Sequence, residues 1–201
     1  MASAPLGDNA RMDAQVLAAM AKWPDVPAVF GWLALTARGE WRLRGERIDN
    51  AAIRDFIGRN YAGDAQGRWY FQNGPQRVYV ALAVTPWIYR VDAAGHVCAH
   101  IGVTPARCEG AAYLDDGRLL LVTDLGPGVV DDRDTAWCLR AITDFTGLPL
   151  SERGFERWID GKDEAFLAPS LLHQAGSPLR IERLRVSALA QRFGFVREPQ
   201  G

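Results

Sequence analysis

Lysine is almost absent from this sequence of 201 residues, which carries only Lys22 and Lys162. Its 23 basic residues stand against 24 acidic ones, and the formal net charge is -1. A chain with so little net charge has no global field that would draw it to nucleic acid or to an anionic membrane. We therefore predict that the protein binds neither nucleic acid nor a membrane. The abundance of arginine, alanine and glycine is typical of GC-rich bacterial coding.

Cysteine is also scarce, with Cys98, Cys108 and Cys138 as its three positions and no pair at the spacing of a redox or zinc motif. An odd number without such spacing predicts free thiols and a reducing compartment. No charged and apolar signal segment precedes Pro5, and no apolar run has the roughly 18 to 20 residues that a membrane helix needs. The sequence therefore predicts a cytoplasmic protein.

The familiar catalytic motifs are missing as well. The sequence has no nucleophile elbow, P-loop, dinucleotide fingerprint or zincin helix, and we predict no cofactor. The glycine-rich stretch Gly126-Pro127-Gly128 is followed by acidic residues, which would repel a phosphate. Its serines lie in predicted tails, caps or loops: Ser3, Ser151, Ser170, Ser177 and Ser187. These observations argue against an enzyme without excluding one.

The strongest strand signals lie between Arg68 and Val91. Residues Val78 to Val84 are apolar at odd and even positions alike, which predicts a central strand covered on both faces. The aromatic run Trp69 to Phe71 and the turn residues Asn73 to Pro75 complete a predicted hairpin. Because proline cannot donate a ladder hydrogen bond, Pro86 predicts a corner of the sheet.

Other segments alternate between hairpins and helices. Further predicted elements are a helix at Ala10 to Trp23, a hairpin at Ala28 to Arg44, a helix at Asn50 to Asn60, hairpins at Trp87 to Val103 and Ala112 to Thr123, a break at Asp124 to Gly128, helices after Asp131 and Ser151, and a tail strand and helix at Leu179 to Phe193. A hairpin leads into a helix twice, at Leu33 to Asn60 and at Ala112 to Phe145, which suggests a repeated plan.

Together these elements predict an α+β fold, an antiparallel meander sheet of roughly eight strands with covering helices. The length suits one compact domain or two lobes that share a core. In the two-lobe division, residues 1–9 form a disordered tail. Residues 10–92 form an N-terminal lobe of helix, hairpin, helix and central hairpin, and residues 93–201 form a C-terminal lobe packed on the same core.

Three stretches carry a resemblance: Trp23 to Pro27 with Gly31 to Leu33, Phe71 to Val80, and Arg192 to Pro199. They look like a family of uncharacterised proteobacterial proteins of about 180 to 200 residues. The resemblance implies a bacterial cytosolic protein and no assigned activity. The hairpin, the segment Gly45 to Ile48 and the helix after it are also similar to a two-lobed family thought of as ligand-binding or regulatory.

Aromatic and polar side chains gather near the predicted central hairpin, in a sequence with seven tryptophans. Aromatic walls with a few polar groups are typical of a small-molecule pocket, and an arginine suits a carboxylate or phosphate. We therefore predict a non-catalytic small-molecule-binding or regulatory module with a small anionic ligand. The same aromatics would also serve a sheet core. The candidate site residues are Trp69, Gln72, Asn73, Arg77, Trp87 and Tyr89.

A metal-assisted enzyme is the alternative, because His96, Cys98 and His100 would share one face of a strand. The two histidines would lie some 13 Å apart, so only neighbouring pairs could bind one metal, with further ligands such as Cys108 or His173. The competing interpretation turns the residues between them inward to the core and leaves these three on the wetter face. A third alternative is an interaction or assembly protein that uses exposed aromatics. The sequence predicts no oligomeric state.

Overall fold

The computed structural model describes residues 12–92, 94–168 and 178–201, so the predicted disordered tail at residues 1–9 lies outside the described residues. The helices are α1 (Ala14–Lys22), α2 (Ala51–Arg59), α3 (Thr135–Ala141), α4 (Glu152–Ile159) and α5 (Leu189–Phe193). The strands are β1 (Val29–Leu35), β2 (Trp41–Leu43), β3 (Glu46–Arg47), β4 (Tyr61–Gly63), β5 (Trp69–Asn73), β6 (Gln76–Leu82), β7 (Trp87–Val91), β8 (Val97–Ala99), β9 (Cys108–Leu114), β10 (Leu119–Thr123), β11 (Gly126–Val130), β12 (Ile142–Thr143), β13 (Phe166–Leu167) and β14 (Leu179–Leu184).

These strands form two sheets. The six-stranded sheet has the order β3-β2-β1-β6-β5-β4, and the eight-stranded sheet has the order β12-β13-β14-β9-β10-β11-β7-β8. The predicted α+β class, mostly sheet with covering helices, is confirmed. Most neighbours are antiparallel, and three parallel pairings add to the predicted meander: β1 with β6, β7 with β11, and β9 with β14.

The chain passes from one sheet to the other between Leu82 and Trp87, at the corner that Pro86 predicts. One buried cluster nevertheless contains residues of both sheets, such as Val80 from the first and Leu120 from the second. The two sheets therefore share a core. The boundary of the predicted lobes at residues 92 and 93 stays a prediction, and the chain changes sheets earlier, between Leu82 and Trp87.

A topological repeat relates the two sheets. Residues 29–82, unit 1, contain the strand order β2-β1-β6-β5-β4, and residues 87–130, unit 2, contain the matching order β8-β7-β11-β10-β9. In each unit the last strand returns to lie parallel to the first. The sequence predicts a repeat in a different register, with a helix in both copies. The helix α2 has no counterpart between β8 and β9.

Two hairpin turns, one in each unit, use the same chemistry at positions that do not correspond in the repeat. Asp64 opens the β4–β5 turn, where its Oδ1 accepts hydrogen bonds from the backbone N–H groups of Gln66 and Arg68 at 3.0 and 2.9 Å. Gly67 closes the turn with φ +77°, a conformation that glycine adopts without steric cost. Asp92 makes the same arrangement in the β7–β8 turn, accepting from the N–H of His96 at 2.9 Å. A carboxylate and a glycine thus fix each hairpin register.

Helix α1 covers the outer face of the six-stranded sheet. Its Val16, with Met12 just before it, packs with the buried Tyr70 and Tyr79 of the central hairpin. The opposite face of that hairpin, with Val78 and Val80, contributes to the main core. Strand β6 is therefore central and covered on both sides, as its apolar pattern predicts.

Two predicted helix caps are confirmed. The Oδ1 of Asn50 accepts a hydrogen bond from Ile53 N–H at 3.2 Å at the start of α2. The hydroxyl of Ser151 accepts from Gly154 N–H at 3.2 Å at the start of α4. Each cap satisfies one of the backbone donors that a helix leaves unpaired in its first turn.

The predicted break at Asp124 to Gly128 is where the local pattern departs most from the structure, because Gly126–Val130 is strand β11. Glycine is required here for packing: a Cβ at Gly128 would lie 2.7 Å from Cδ2 of the Tyr89 ring and 2.8 Å from Cβ of Trp87. Packing against strand β7 therefore requires a glycine at this position, and glycine weakens the strand signal in the sequence.

Helix α3 is shorter than predicted. It ends at Ala141, and the next two residues form β12, which pairs with β13. Strand β8 is also shorter than the predicted His96 to Val103. In the described part of the chain, no helix is both long and apolar enough to cross a membrane.

The C-terminal segment, residues 194–201, crosses unit 1. Val196 N–H donates to the carbonyl of Gly67, and Leu82 N–H donates to the carbonyl of Arg197, both at 2.8 Å. The guanidinium of Arg197 in turn donates to the carbonyls of Leu82 and Ala83. These bonds tie the end of the chain to two loops of the six-stranded sheet.

Candidate functional site

An aromatic cluster lies where the two units meet. Trp69 of unit 1 and Trp87 of unit 2 have ring centroids 5.2 Å apart at an interplanar angle of 82°. Tyr61 contacts both rings, at 4.9 and 5.6 Å. The two contacts of Trp87 are edge-to-face, a geometry that aromatic quadrupoles favour, whereas Tyr61 and Trp69 are tilted at 38°. The structure thus brings together two of the predicted site residues.

A small pocket opens beside Trp69, and we call it the junction pocket. Its volume is about 120 Å³, room for about four water molecules at their share of liquid volume. Three separated parts of the chain form its walls. They are Gly63, Asp64, Gly67 and Trp69 from unit 1, Pro86 with Thr123 to Pro127 from unit 2, and Phe193 to Phe195 from the C-terminal region.

Trp87 and Tyr89 hold the unit 2 wall from behind. The indole Nε1 of Trp87 donates to the carbonyl of Leu125 at 2.7 Å. The hydroxyl of Tyr89 donates to the carbonyl of Gly126 at 3.0 Å and contacts the hydroxyl of Thr123 at 2.7 Å. Tyr89 is fully buried, so it positions the wall without facing the pocket.

Gln72 and Arg77 lie elsewhere. They face each other across β5 and β6, on the face that α1 covers. The guanidinium carbon of Arg77 lies 4.4 Å from the centroid of the Tyr70 ring. Gln72 is buried and donates from Nε2 to the carbonyl of Gly74 at 2.9 Å, whereas Asn73 is exposed at the end of β5. The six predicted residues therefore do not form one site, because side chains alternate along a strand.

The carboxylates of the junction pocket are engaged in its walls. Asp64 accepts from the Nε of Arg68 at 2.8 Å and from the hydroxyl of Tyr79 at 3.0 Å. Burial would raise the pKa of Asp64, but the hydrogen bonds from Arg68 and Tyr79 outweigh burial and lower it. Asp124 accepts from Arg107 N–H at 3.0 Å. Both carboxylates therefore stabilise the loops that form the pocket walls.

The acidic run after β11 is engaged as well. Asp131, which is buried, accepts from the Nε and N–H of Arg133, and Asp134 accepts from the Nε of Arg90 at 2.7 Å. Asp132, just after unit 2, is paired with Arg38 of unit 1 at 2.8 Å. These carboxylates therefore have arginine partners and are poorly placed for acid–base chemistry.

The three predicted metal ligands point in different directions. The ring of His96 contacts Asp92 at 3.1 Å on the surface, and the thiol of Cys98 donates to Ala99 O at 3.5 Å. His100 follows the end of β8, so the strand alternation no longer applies to it. Its ring turns inward, where Nδ1 accepts from Ile88 N–H at 3.3 Å.

The inward position of His100 differs from both sequence predictions. One placed its side chain in a metal site with Cys98, and the other placed it on the wetter face of the strand. Its ring contacts Trp41, Tyr61 and Trp87 at centroid distances of 5.3 to 5.8 Å. Burial lowers the pKa of His100 to about 3, so the ring is neutral. Nε2 is buried without a hydrogen-bond partner among the described residues. No group of three His, Cys, Asp or Glu side chains within residues 12–92, 94–168 and 178–201 could hold a metal.

Sequence reasoning missed two walls of the junction pocket, the turn Thr123 to Pro127 and the segment Phe193 to Phe195. The first was hidden because its glycine and proline predict a break in the strand pattern. The second stands within a stretch that carries a family resemblance, but nothing local places it beside Trp69. The signal that could have found the first is the match between the two-residue turns at Gly74 and Asp124 in the repeated units.

The family model DUF2944, described as "Protein of unknown function (DUF2946)", matches residues 12–200. No curated protein matches the sequence. Among solved structures, the chain is similar to a DUF1285 family protein from Silicibacter pomeroyi DSS-3, with a TM-score of 0.53 and 12% identity over 90% of this chain and 96% of that one. A DUF1285 family protein from Shewanella baltica OS155 matches with a TM-score of 0.40 and 14% identity over 51% of this chain and 86% of that one. At such identity the first likeness shows the fold alone.

Proposed function

The chain belongs to the DUF2944 family of proteins of unknown function, and from this premise we propose that it is a non-catalytic small-molecule-binding or regulatory module. The junction pocket is the proposed site. The proposal also includes a bacterial cytoplasmic location, which the three free thiols support.

One observation carries the proposal: three distant parts of the chain converge on one concave surface with an indole in its wall. Ligand sites occur preferentially where separate structural units meet, and they combine apolar walls with a few polar groups. Trp69 supplies the apolar wall, and Gly63 and Gly126 are among the residues that line the rest of the pocket. Glycines leave the backbone open to close approach.

Catalysis is not part of the proposal. We propose a non-catalytic role because the nearby titratable groups are already engaged. Asp64 and Asp124 hold turns, and His100 is neutral and enclosed by aromatic rings. A general acid or base needs a free position within hydrogen-bond reach of a substrate. The volume of about 120 Å³ suits a fragment or one end of a larger ligand, well below the 300 Å³ or more of sites for drug-sized molecules.

The sequence predicts an anionic ligand on the strength of Arg77. Arg77 lies on the other face of the central hairpin, and the junction pocket has carboxylates and no guanidinium group among its lining residues. We therefore propose an uncharged or cationic fragment for the junction pocket.

Fluorine NMR of protein labelled with 5-fluorotryptophan tests the proposal, because each of the seven tryptophans gives its own signal. A library of small metabolites is screened at millimolar concentration. Replacing one tryptophan at a time with phenylalanine assigns each signal to its residue. We expect at least one compound class to shift the Trp69 signal first and most strongly, with Trp87 following.

Matched variants sharpen the experiment. Trp69→Phe removes the indole from the wall and should weaken the binding of each hit, whereas Trp32→Phe changes an exposed tryptophan of β1 and should leave binding unchanged. Shifts confined to Trp23 and Trp32 would favour an interaction surface instead. A screen in which the Trp69 signal never moves would overturn the proposal.

A further inference from the structure

A second concave surface shares no lining residue with the junction pocket. It is a groove of about 550 Å³ between α4 and the parallel pair β9–β14, and we call it the α4 groove. Its size falls within the range of small-molecule sites. The lining residues that matter below are Tyr113, Asp115, Phe155, Ile159, Arg183 and Arg185.

The floor of the groove is aromatic. Tyr113 projects from β9 and Phe155 from α4, with ring centroids 5.9 Å apart and perpendicular planes. The buried ring of Trp158 lies beneath them, 5.0 Å from Tyr113 and 5.3 Å from Phe155. Tyr113 and Phe155 are only partly buried, so their free surface can receive a flat apolar group.

Two arginines border this floor from the same side. Arg183 is the register partner of Tyr113 across the parallel pair, so the two side chains share a face. Arg185 follows two residues later on extended backbone, with φ -93° and ψ 140°. Alternate residues of an extended chain point the same way, which brings both guanidinium groups to one rim.

Neither arginine forms an ion pair at salt-bridge distance with a carboxylate of the described residues, and Asp160 interacts with Arg183 only at longer range. The hydrogen bond of Arg183 goes from NH1 to the carbonyl of Trp158 at 3.3 Å. Nearby basic residues differ: Arg180 is paired with Glu164 at 2.7 Å, and Arg192 with Glu182 at 2.8 Å. Among the described arginines that form no ion pair, Arg183 and Arg185 are the two that line this groove.

The other polar groups of the groove are Tyr113 and Asp115. The Tyr113 hydroxyl makes no hydrogen bond to the part of the chain that the structure describes, and burial together with the nearby Asp116 raises its pKa, so it keeps its proton as a donor. Asp115 already accepts from Val186 N–H at 2.9 Å. The charged residues of the lining are Asp115, Arg183 and Arg185, which gives a net charge of +1.

We propose that the α4 groove binds a small molecule in which an anionic group, a carboxylate or a phosphate, is joined to an aromatic ring. The two guanidinium groups bind the anion in the bidentate manner that suits both oxyanions. The ring lies on Tyr113 and Phe155. The Tyr113 hydroxyl donates a further hydrogen bond to the ligand.

The same fluorotryptophan-labelled protein provides the test, with phenyl phosphate and phenylacetate as probes. Trp158 lies under the floor, so its signal should shift in a saturable manner while that of Trp69 stays still. The ratio of the two affinities identifies which oxyanion the groove prefers. Because Trp69 and Trp158 report separately, failure here leaves the junction pocket proposal standing, and the reverse holds as well.

Three arginine variants locate the anion. Arg183→Gln and Arg185→Gln should each weaken binding of the preferred probe about tenfold, since each removes a charge-assisted hydrogen bond. Arg153→Gln is the matched control, because Arg153 is exposed on α4 and does not line the groove, while the net charge changes equally. It should leave the dissociation constant within about twofold. An unchanged fluorine spectrum of each free variant verifies folding.

The aromatic part is tested by Phe155→Leu, which should weaken phenyl phosphate binding severalfold and leave any binding of inorganic phosphate unaltered. Inorganic phosphate that binds as tightly as phenyl phosphate would mean an adventitious ion only. Equal binding of phenethylamine, or binding that survives in both Arg183→Gln and Arg185→Gln, would overturn the proposal. So would a Trp158 signal that stays still with both probes.

Discussion

The ring of Tyr89 occupies the space where a side chain at Gly128 would begin. The two residues stand on neighbouring parallel strands of unit 2, and an ideal Cβ at position 128 would lie 2.7 Å from Cδ2 of that ring. Tyr89 is fully buried and its hydroxyl holds the wall of the junction pocket, so displacing its ring would cost free energy. The pairing explains why a glycine stands inside a buried strand.

Gly128→Ala should therefore lower the free energy of unfolding by about 1 to 3 kcal/mol, the usual cost of overpacking a core. Urea denaturation of both proteins measures it. Gly110→Ala in β9 is the control, because a Cβ there would meet Val122 at an ordinary 3.7 Å. It should change the stability by less than about 1 kcal/mol. Equal effects of the two changes would contradict the packing argument.

His100 should make the stability of the protein depend on pH. Burial lowers the pKa of His100 to about 3 in the folded state, from the 6.5 of an exposed histidine. Between those values the unfolded chain binds a proton that the folded chain does not. Stability is therefore complete above pH 6.5 and falls by about 1.4 kcal/mol per unit as the pH decreases.

The variant His100→Asn tests this linkage, since its Oδ1 can replace Nδ1 as the acceptor for Ile88 N–H. It should cost about 1 to 3 kcal/mol at pH 7 and show a flatter pH dependence between pH 6.5 and 5. His96→Asn, on an exposed histidine, should retain the slope of the natural sequence. A slope that persists in His100→Asn would assign the effect to another group.

Arg77 is expected to stabilise the fold slightly and to take no part in ligand binding. Its guanidinium lies over Tyr70 on the face opposite Trp69. Arg77→Ala should cost about 0.5 to 2 kcal/mol, the range of cation–π contacts from exposed to desolvated sites, because the Tyr70 ring is buried. Any compound that shifts the Trp69 signal should bind the variant unchanged. Arg44→Ala, which removes a similar contact with Trp32, is the control. Loss of binding in Arg77→Ala alone would return Arg77 to the site.

Purified, untagged protein should contain less than stoichiometric zinc, iron, copper and nickel. The reason is geometric: the side chains of His96, Cys98 and His100 have separate partners and separate directions. A structural metal site would survive purification without added metal. Elemental analysis measures the content directly. One equivalent of a metal that is lost in Cys98→Ala would revive the metal-assisted alternative.

Much of the local structure could be predicted because its causes are local. Asn50 and Ser151 cap their helices with their own side chains, and the apolar run around Val80 needs no knowledge of its neighbours to predict a buried strand. Pro86 marks the change of sheet because its missing N–H is a property of one residue. Such signals also establish the α+β class.

The pairings between distant strands were not accessible in this way. Ile181 of β14 lies beside Ala111 of β9, and no turn links them. Strands of two residues, such as β12, carry no periodicity. The candidate site depends on these distant pairings. Trp69 and Trp87 could be proposed as neighbours, whereas Phe193 joins the pocket lining only through the complete fold. Arg77 is not at the site because strand alternation puts it on the other face.

The C-terminal segment also bears on folding kinetics. Arg197 contacts the carbonyl of Leu82 across a sequence separation of 115 residues, and the ladder from β9 to β14 joins residues far apart in the chain. Closing loops of this length costs entropy before any contact compensates for it. High contact order of this kind slows folding. Unit 1 acquires its last hydrogen bonds only when the far end of the chain docks, which couples the end of the chain to the cooperativity of the whole domain.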